Sequence, residues 1–323
     1  MQRVLITGGA GFIGSNLADR LLDRGVEVVV YDNFVTGRPE FIERIRRNGA
    51  SRVVNADVLD AKSLRSALVG CDTVFHLAAN ADVRQGLEHP RRDLEQNTLA
   101  TSTVLEAMRL SGINRIAFTS TGSVYGEPTV FPTPEHAPFP VQTSLYAASK
   151  LAGEGLVQAY CHGYGFTGAI FRLVSTLGER YTHGHVRDFY LALRADPGHL
   201  RVLGNGRQEK SYLYIGDLVD GILHGLGALD AGTTEVFNIG TDETIIVDDS
   251  VRLICRHVGV DPEIEHTGGP RGWPGDSPVI LLDCSKLRSR GWRPEVPIHE
   301  AIGRTLSWFD EHVDILVRAE QDT

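Results

Sequence analysis

Tyr146-Ala147-Ala148-Ser149-Lys150 places a phenol and an ammonium four residues apart where a helical pattern begins, and so on one helix face. A cation held beside a phenol favours the phenolate and draws its pKa from about 10 towards neutrality, which makes tyrosine a usable acid or base. The 323-residue chain has nine Tyr and only Lys62, Lys150, Lys210 and Lys286 for lysines, so the chance expectation of any Tyr-x-x-x-Lys is roughly 0.1. Upstream, Thr119-Ser120-Thr121-Gly122-Ser123-Val124-Tyr125-Gly126 closes an apolar run. A hydroxyl there can hydrogen-bond to a reacting alcohol, although a polar strand-to-loop exit reads the same way.

A second cluster suits phosphate. Thr7-Gly8-Gly9-Ala10-Gly11-Phe12-Ile13-Gly14 follows one apolar run and opens a helical one. Gly8, Gly11 and Gly14 can supply a tight turn, close approach of backbone to a pyrophosphate, and close helix–strand packing. The helix N-terminus then offers free N–H groups to the anion. Asp32, about 20 residues on, is placed to accept hydrogen bonds from an adenosine ribose and would repel a 2′-phosphate. NAD is therefore favoured over NADP, with a turn-capping Asp as the plainer alternative. Asp57 can accept from an adenine amino group. In His76-Leu77-Ala78-Ala79 the small alanines let a dinucleotide pass near the backbone, and His76 reads as a packed, satisfied histidine rather than a catalyst.

The elements that must position these residues follow from periodicity. Val4–Ile6, Val26–Val30, Arg52–Asn55, Thr73–Leu77, Arg115–Phe118 and Phe166–Phe171 read as buried strands. Between them lie helical patterns with Leu17, Leu21 and Leu22 on one face, around Ser63–Leu68, across Leu94–Leu110, and from about Ser144 to His162. Beyond Arg172 the alternation loosens, and Gly, Pro and His become frequent. The class implied is α/β: a Rossmann-type doubly wound parallel sheet with a smaller, less regular α/β substrate-binding lobe. Residues 1–172 with about 211–240 are expected to form the cofactor domain, and about 173–210 with 241–323 the lobe. A ligand then binds between them, at the carboxyl ends of the strands.

Composition excludes several classes. A net charge of −9 and a pI near 5.7 argue against a general nucleic-acid surface. Cys71, Cys161, Cys255 and Cys284 are far apart, without CxxC spacing, so neither a disulfide framework nor a zinc site is expected. His183 and His185 find no third ligand at a recognisable spacing, so no metal is expected. No run reaches 18 uncharged apolar residues, and the N-terminus lacks a signal-peptide pattern. A cytoplasmic protein that does not span a membrane is expected.

TGGAGFIG, the Asp32 strand end, HLAA, STGSVYG and YAASK occur in the order and spacing of the extended short-chain dehydrogenase/reductases. Over nearly its whole length the chain resembles their NAD-dependent nucleotide-sugar epimerase/dehydratase family. Its later segments, Val202–Gln208 with Lys210-Ser211-Tyr212, Phe237–Gly240 and Arg271–Asp276, are similar to the compact UDP-glucose 4-epimerase-like branch. The resemblance implies that Tyr146 takes the proton of the sugar 4-hydroxyl, that Lys150 holds the nicotinamide ribose, and that Thr121 hydrogen-bonds to the 4-oxygen. It also implies NAD contacts from Gly8, Gly11, Phe12, Ile13, Gly14, Asp32 and Asn33. Further NAD contacts are implied at Asp57, Val58, Leu77, Ala78, Ala79 and Asn97.

For the substrate, a UDP-hexose first of all, the resemblance implies contacts from Arg84, Gly122, Ser123, Ser175 and His185, and from Gln208, Tyr212, Arg271 and Asp276 in the lobe. Arg271 suits a diphosphate because a guanidinium binds phosphate bidentately, with an ion pair to Asp276 as the alternative. Arg180, His183, His185 and Arg187 are expected as a basic cluster facing the sugar. Ser175 stands where epimerases usually have Asn, and Gly86 where a Ser is common, which leaves room for an amino, deoxy or uronic hexose. The 4,6-dehydratases carry Asp-Glu, and the decarboxylases a Glu, where this chain has Gly122-Ser123; neither residue can act as a carboxylate acid or base. The leading expectation is a 4-epimerase working through a 4-keto sugar. A uronate-specific epimerase or decarboxylase, a 4-keto-sugar reductase, and a non-catalytic NAD sensor remain as alternatives. The family further implies a homodimer pairing the helices at about Asp93–Leu110 and Ser144–His162.

Overall fold

The computed structural model describes residues 1–81, 86, 88–139, 141–272 and 279–321. Arg84 and Asp276 lie outside the described residues, as does Trp273-Pro274-Gly275. Seven strands form one parallel sheet: β1 Arg3–Thr7, β2 Glu27–Asp32, β3 Arg52–Asn55, β4 Thr73–His76, β5 Arg115–Thr121, β6 Thr167–Leu173 and β7 Thr234–Ile239. Their order is β7-β6-β5-β4-β1-β2-β3, every pair parallel. The order reverses beside β1, which opens a crevice between the loops that follow β1 and β4.

Helices cover both faces. On one, α1 (Phe12–Asp23) and α6 (Ile215–Gly227) bury Leu17, Leu21, Leu218, Ile222 and Leu226. On the other, α2 (Ala61–Ala67), α3 (Ala100–Leu110) and α4 (Leu145–Tyr164) bury Leu64, Val104, Met108 and Val157. A third core lies off the sheet, where α5 (His185–Ala195), α7 (Val247–Val258), α8 (Ile298–Glu311) and α9 (Val313–Gln321) enclose Tyr190, Ile254, Leu306 and Phe309. Short strand pairs extend from it, among them Ser175–Leu177 with Tyr212–Tyr214 and Glu209–Lys210 with Val279–Ile280. Leu282, Cys284, Leu287 and Trp292, near the end of the chain, return to pack against the sheet.

Local chemistry explains where these elements start and stop. Ser144 caps α4, its hydroxyl accepting from Ala147 N at 3.1 Å, and Gly165 closes the helix at φ 69°. Strand β5 runs to Thr121, beyond the expected stop at Phe118, because its ladder with β6 continues through Ser120↔Arg172 and Thr121↔Leu173. The polar side chains of this extension are satisfied inside the protein, so polarity did not mark the end of the strand. The pattern over Leu94–Leu110 divides into a π turn, Leu94–Leu99, and the α-helix that follows it.

Candidate active site

A cleft of about 450 Å³ opens at the carboxyl ends of the strands, within the usual size of small-ligand sites. Its floor is the glycine turn, with Gly8, Gly11, Phe12, Ile13 and Gly14. Gly8 has φ +68°, and a Cβ there would lie 2.8 Å from Ala78 N; a Cβ on Gly14 would lie 2.2 Å from the Gly8 carbonyl oxygen. These positions accept no side chain, and the crowding brings the β1 and β4 loops together. Gly11 caps α1 with no side-chain hydrogen bond, so the first N–H groups of the helix face the cleft.

Asp32 is 7% exposed. Its Oδ2 accepts from Ala10 N at 2.9 Å and its Oδ1 from Phe34 N at 2.8 Å. Burial pushes its carboxyl pKa up, and these two hydrogen bonds oppose the shift. Each oxygen keeps capacity for a further donor, as paired ribose hydroxyls require. Asn33, Val58, Leu77, Ala78 and Ala79 also line the cleft. Asp57 does not: it accepts from Asn33 Nδ2 and from Leu59 N, both at 2.9 Å, and so braces the rim. The glycine cradle, open helix end and carboxylate fit a dinucleotide.

Buried side chains hold this floor in place. Thr101 Oγ1 donates to Asn97 O at 2.6 Å, so it accepts from His76 Nε2 at 3.0 Å, and His76 Nδ1 accepts from Thr7 Oγ1 at 2.7 Å. Thr7 Oγ1 in turn accepts from Leu77 N at 3.2 Å and Ala78 N at 3.3 Å. His76 is therefore a structural link in its neutral form, its pKa driven down to about 3 by burial and by the Lys150 charge. Asn97 is also behind the wall. It accepts from Asn80 N at 2.8 Å and donates to Ser149 Oγ at 2.8 Å, linking the β4 loop to α4.

Tyr146, Thr121, Gly122, Ser123 and Ser175 line the other end of the cleft. Burial pushes the Tyr146 phenol up to about 12, with the Thr121 hydroxyl acting in the opposite direction. This differs from the sequence expectation that Lys150 lowers it. The Lys150 ammonium sits 4.4 Å from the centroid of the Phe118 ring, with no hydrogen bond to Tyr146, and its own pKa is drawn down to about 7 by burial, which Glu154 opposes. Desolvation therefore dominates both groups in the protein alone.

The expected sugar contacts disperse. His185 is half-buried, taking a hydrogen bond from Tyr212 OH at Nδ1 (2.7 Å) and meeting Ser250 Oγ at Nε2 (3.0 Å); burial lowers its pKa to about 4. Gln208 is buried and donates to Leu203 O at 3.1 Å. Arg271 pairs with Glu127 at 2.6 Å. The anticipated basic cluster also separates: Arg180 pairs with Asp19 on α1 at 2.6 Å, and Arg187 donates to Leu316 O at 2.7 Å. Of the four, His183 lines the cleft. Two causes split the cluster: Arg180 and His183 lie in the turn before α5, Arg180 at φ 72°, while His185 and Arg187 are two apart on the helix and so point in different directions. A Cβ at Gly86 would come within 2.8 Å of Asp93 Oδ2, so a serine there would crowd a carboxylate.

Gln96, Tyr181, Thr182, Gly184 and Ile280 line the cleft as well. No motif marked them. The edge-on contact of Tyr181 with Phe12, centroids 5.6 Å apart, and the hydrogen bond from Asn16 Nδ2 to Glu179 O at 3.1 Å place that segment over the start of α1. Among the described residues no group of three or more His, Cys, Asp or Glu could hold a metal, and no helix is long and apolar enough to cross a membrane.

Comparison with known proteins agrees with this geometry. The family model for NAD-dependent epimerases/dehydratases matches residues 4–240. A putative UDP-glucose 4-epimerase of Methanocaldococcus jannaschii is 34% identical over 313 residues, covering 95% of this chain and 98% of its own. The UDP-glucose 4-epimerase of Mycolicibacterium smegmatis is 34% identical, with the same coverage. The crystal structure of a Thermus thermophilus UDP-glucose 4-epimerase in complex with NAD superposes with TM-score 0.85 at 32% identity, over 96% of this chain and 100% of that one.

Proposed function

The chain belongs to the NAD-dependent epimerase/dehydratase family, and on that premise we propose that it is an NAD-dependent nucleotide-sugar 4-epimerase. Its substrate is a UDP-hexose of the glucose/galactose type or a modified hexose, and the reaction passes through a transient 4-keto sugar. One observation carries the reading: the cleft that bears Tyr146 and Thr121 has Asp32, at its ribose end, as the sole carboxylate among its described lining residues. Proton transfer at a hydroxyl is provided for. Elimination or decarboxylation assisted by a carboxylate beside the sugar is not.

NAD, when bound, supplies the reversible hydride acceptor that oxidation at C4 requires. Gly8, Gly11 and Gly14 would receive its pyrophosphate and Asp32 its adenosine ribose. Tyr146 removes the proton from the sugar 4-oxygen and later returns it. Thr121 orients that oxygen, and Lys150 supplies positive charge beside the ribose. Because oxidation and reduction cancel, the cofactor stays bound between turnovers. Residues 1–172 with about 211–240 would carry the cofactor, and about 173–210 with 241–323 would cover the sugar.

Leu94 and Leu99 in the π turn that leads into α3, Leu110 at the end of α3 and Leu145 at the start of α4, all at least 40% exposed, support a homodimer through this pair of helices. Sedimentation at twice the 35.3 kDa chain mass would verify it. Four buried free cysteines support a cytoplasmic location. The experiment that tests the function is incubation of the purified protein with UDP-, dTDP- and GDP-hexoses, following C4 configuration by NMR. Interconversion of C4 epimers without net NADH is the expected result; no turnover across the panel, with NAD still bound, rejects it in favour of a sensor.

A further inference from the structure

Helix α4 carries a third ionisable residue, Glu154, one turn beyond Lys150. Glu154 is 2% exposed and Arg172, on β6, is 3% exposed. Arg172 grips the carboxylate with Nη2 at 2.7 Å from Oε2 and Nε at 3.0 Å from Oε1. Ser120, on β5 directly before Thr121, donates to Oε1 at 2.5 Å. The remaining guanidinium nitrogen, Nη1, donates to Tyr125 OH at 2.8 Å and to Glu135 O at 2.9 Å, and the guanidinium lies 4.8 Å from the Tyr125 and Phe139 ring centroids. Such a pair is costly to bury and is often replaceable by apolar side chains without loss of stability. Its location, bridging the helix of Tyr146 and the strand of Thr121, points to a role in the site.

We propose that Glu154, with Arg172 as its counter-ion, is a positioning residue for the proton-transfer centre: from one turn beyond Lys150 on the same helix it favours the protonated lysine, and it locks β5 against α4, so that Thr121 and Tyr146 share one oxygen. The inference rests on the assignment of Tyr146 and Lys150 made above. The groups facing Lys150 are few. Tyr146 and Glu154 lie on its own helix, the uncharged Phe118 ring on β5, and His76, held neutral, on β4. Asp93 acts on Tyr146. Glu154 is thus the anion whose field opposes the desolvation of Lys150, and a lysine that lost its proton would give Tyr146 no help in holding a phenolate.

The chain has only four lysines, so ¹³Cε-lysine labelling yields a spectrum in which Lys150 is assigned through Lys150→Arg. In Glu154→Gln, Lys150 should release its proton at a pH lower by about one unit or more, with the other three resonances unmoved, and kcat should fall about tenfold with KM little changed. Should that variant fail to fold, the double variant Glu154→Leu with Arg172→Met keeps the volume and should show a downward shift, smaller because the Arg172 charge leaves with the carboxylate. A Lys150 titration unchanged in a folded variant overturns the proposal. If the wild type epimerises no hexose, the reaction proposed above falls, while the lysine titration still decides the role of Glu154.

Discussion

The ammonium of Lys150 rests 4.4 Å from the centroid of the Phe118 ring, so β5 supplies an aromatic face rather than an anion beneath the buried cation. A ring face returns only part of the hydration energy that burial removes. Burial accordingly holds the Lys150 pKa near about 7, against 10.5 for the free side chain, with Glu154 opposing the shift. Below pH 7 the lysine is charged in both folded and unfolded chains, and the full burial penalty acts. Between 7 and 10.5 the folded protein has released the proton and the unfolded chain retains it, so this group makes stability rise with pH. Urea unfolding of NAD-free protein should show Lys150→Met stabilised over wild type at pH 6 to 7, with the gap closing towards pH 10. A gap independent of pH would contradict the buried-cation account.

Gly14 makes a separate prediction. A methyl at this position meets the Gly8 carbonyl oxygen at 2.2 Å, a backbone atom that cannot move without opening the turn. Gly14→Ala should cost more than about 2 kcal/mol and abolish NAD retention, read from the absorbance of purified protein. Gly303→Ala in α8, where no atom lies within 4 Å, should instead stabilise by about 0.5–1 kcal/mol. Thermal melts of the two variants check both signs.

Tyr146→Phe removes one hydroxyl and little volume. Turnover should fall about 10³-fold while bound NAD persists, since the tyrosine transfers the proton and the glycine turn holds the cofactor. Thr121→Val should lose roughly 10²-fold, because it orients the oxygen without transferring the proton. Rate assays with parallel cofactor quantification distinguish these losses from misfolding.

Asp32→Ser tests the ribose end. Its carboxylate holds both Ala10 N and Phe34 N, so the change loosens the loop and removes the acceptor together. NAD affinity should drop about tenfold or more, and discrimination against NADP should relax as the repelling charge disappears. Calorimetric titration with both cofactors measures it; unchanged preference would leave Asp32 a turn residue only.

The glycine turn, Asp32 and the Tyr146–Lys150 pair were legible in the sequence because each depends on short-range geometry: a turn, a strand end, one helix face. The alternation of apolar runs with helical patterns likewise determined a parallel sheet covered on both sides, and with it the edge where a ligand sits. Residues whose roles arise from packing across distant elements were not legible. Arg172 reads only as the residue beyond which the strand–helix alternation loosens, and its meeting with Glu154 and Ser120 is decided by the packing of β5, β6 and α4. His185, Gln208 and Arg187 look like ligand contacts by type, and folding gives each a partner within the lobe that no sequence pattern marks. Tyr181, from a loop, and Ile280, from a two-residue strand, reach the cleft with no local signature. Even the charge state of the central pair belonged to tertiary structure, since desolvation is set by everything that surrounds a side chain and not by its neighbours in the chain.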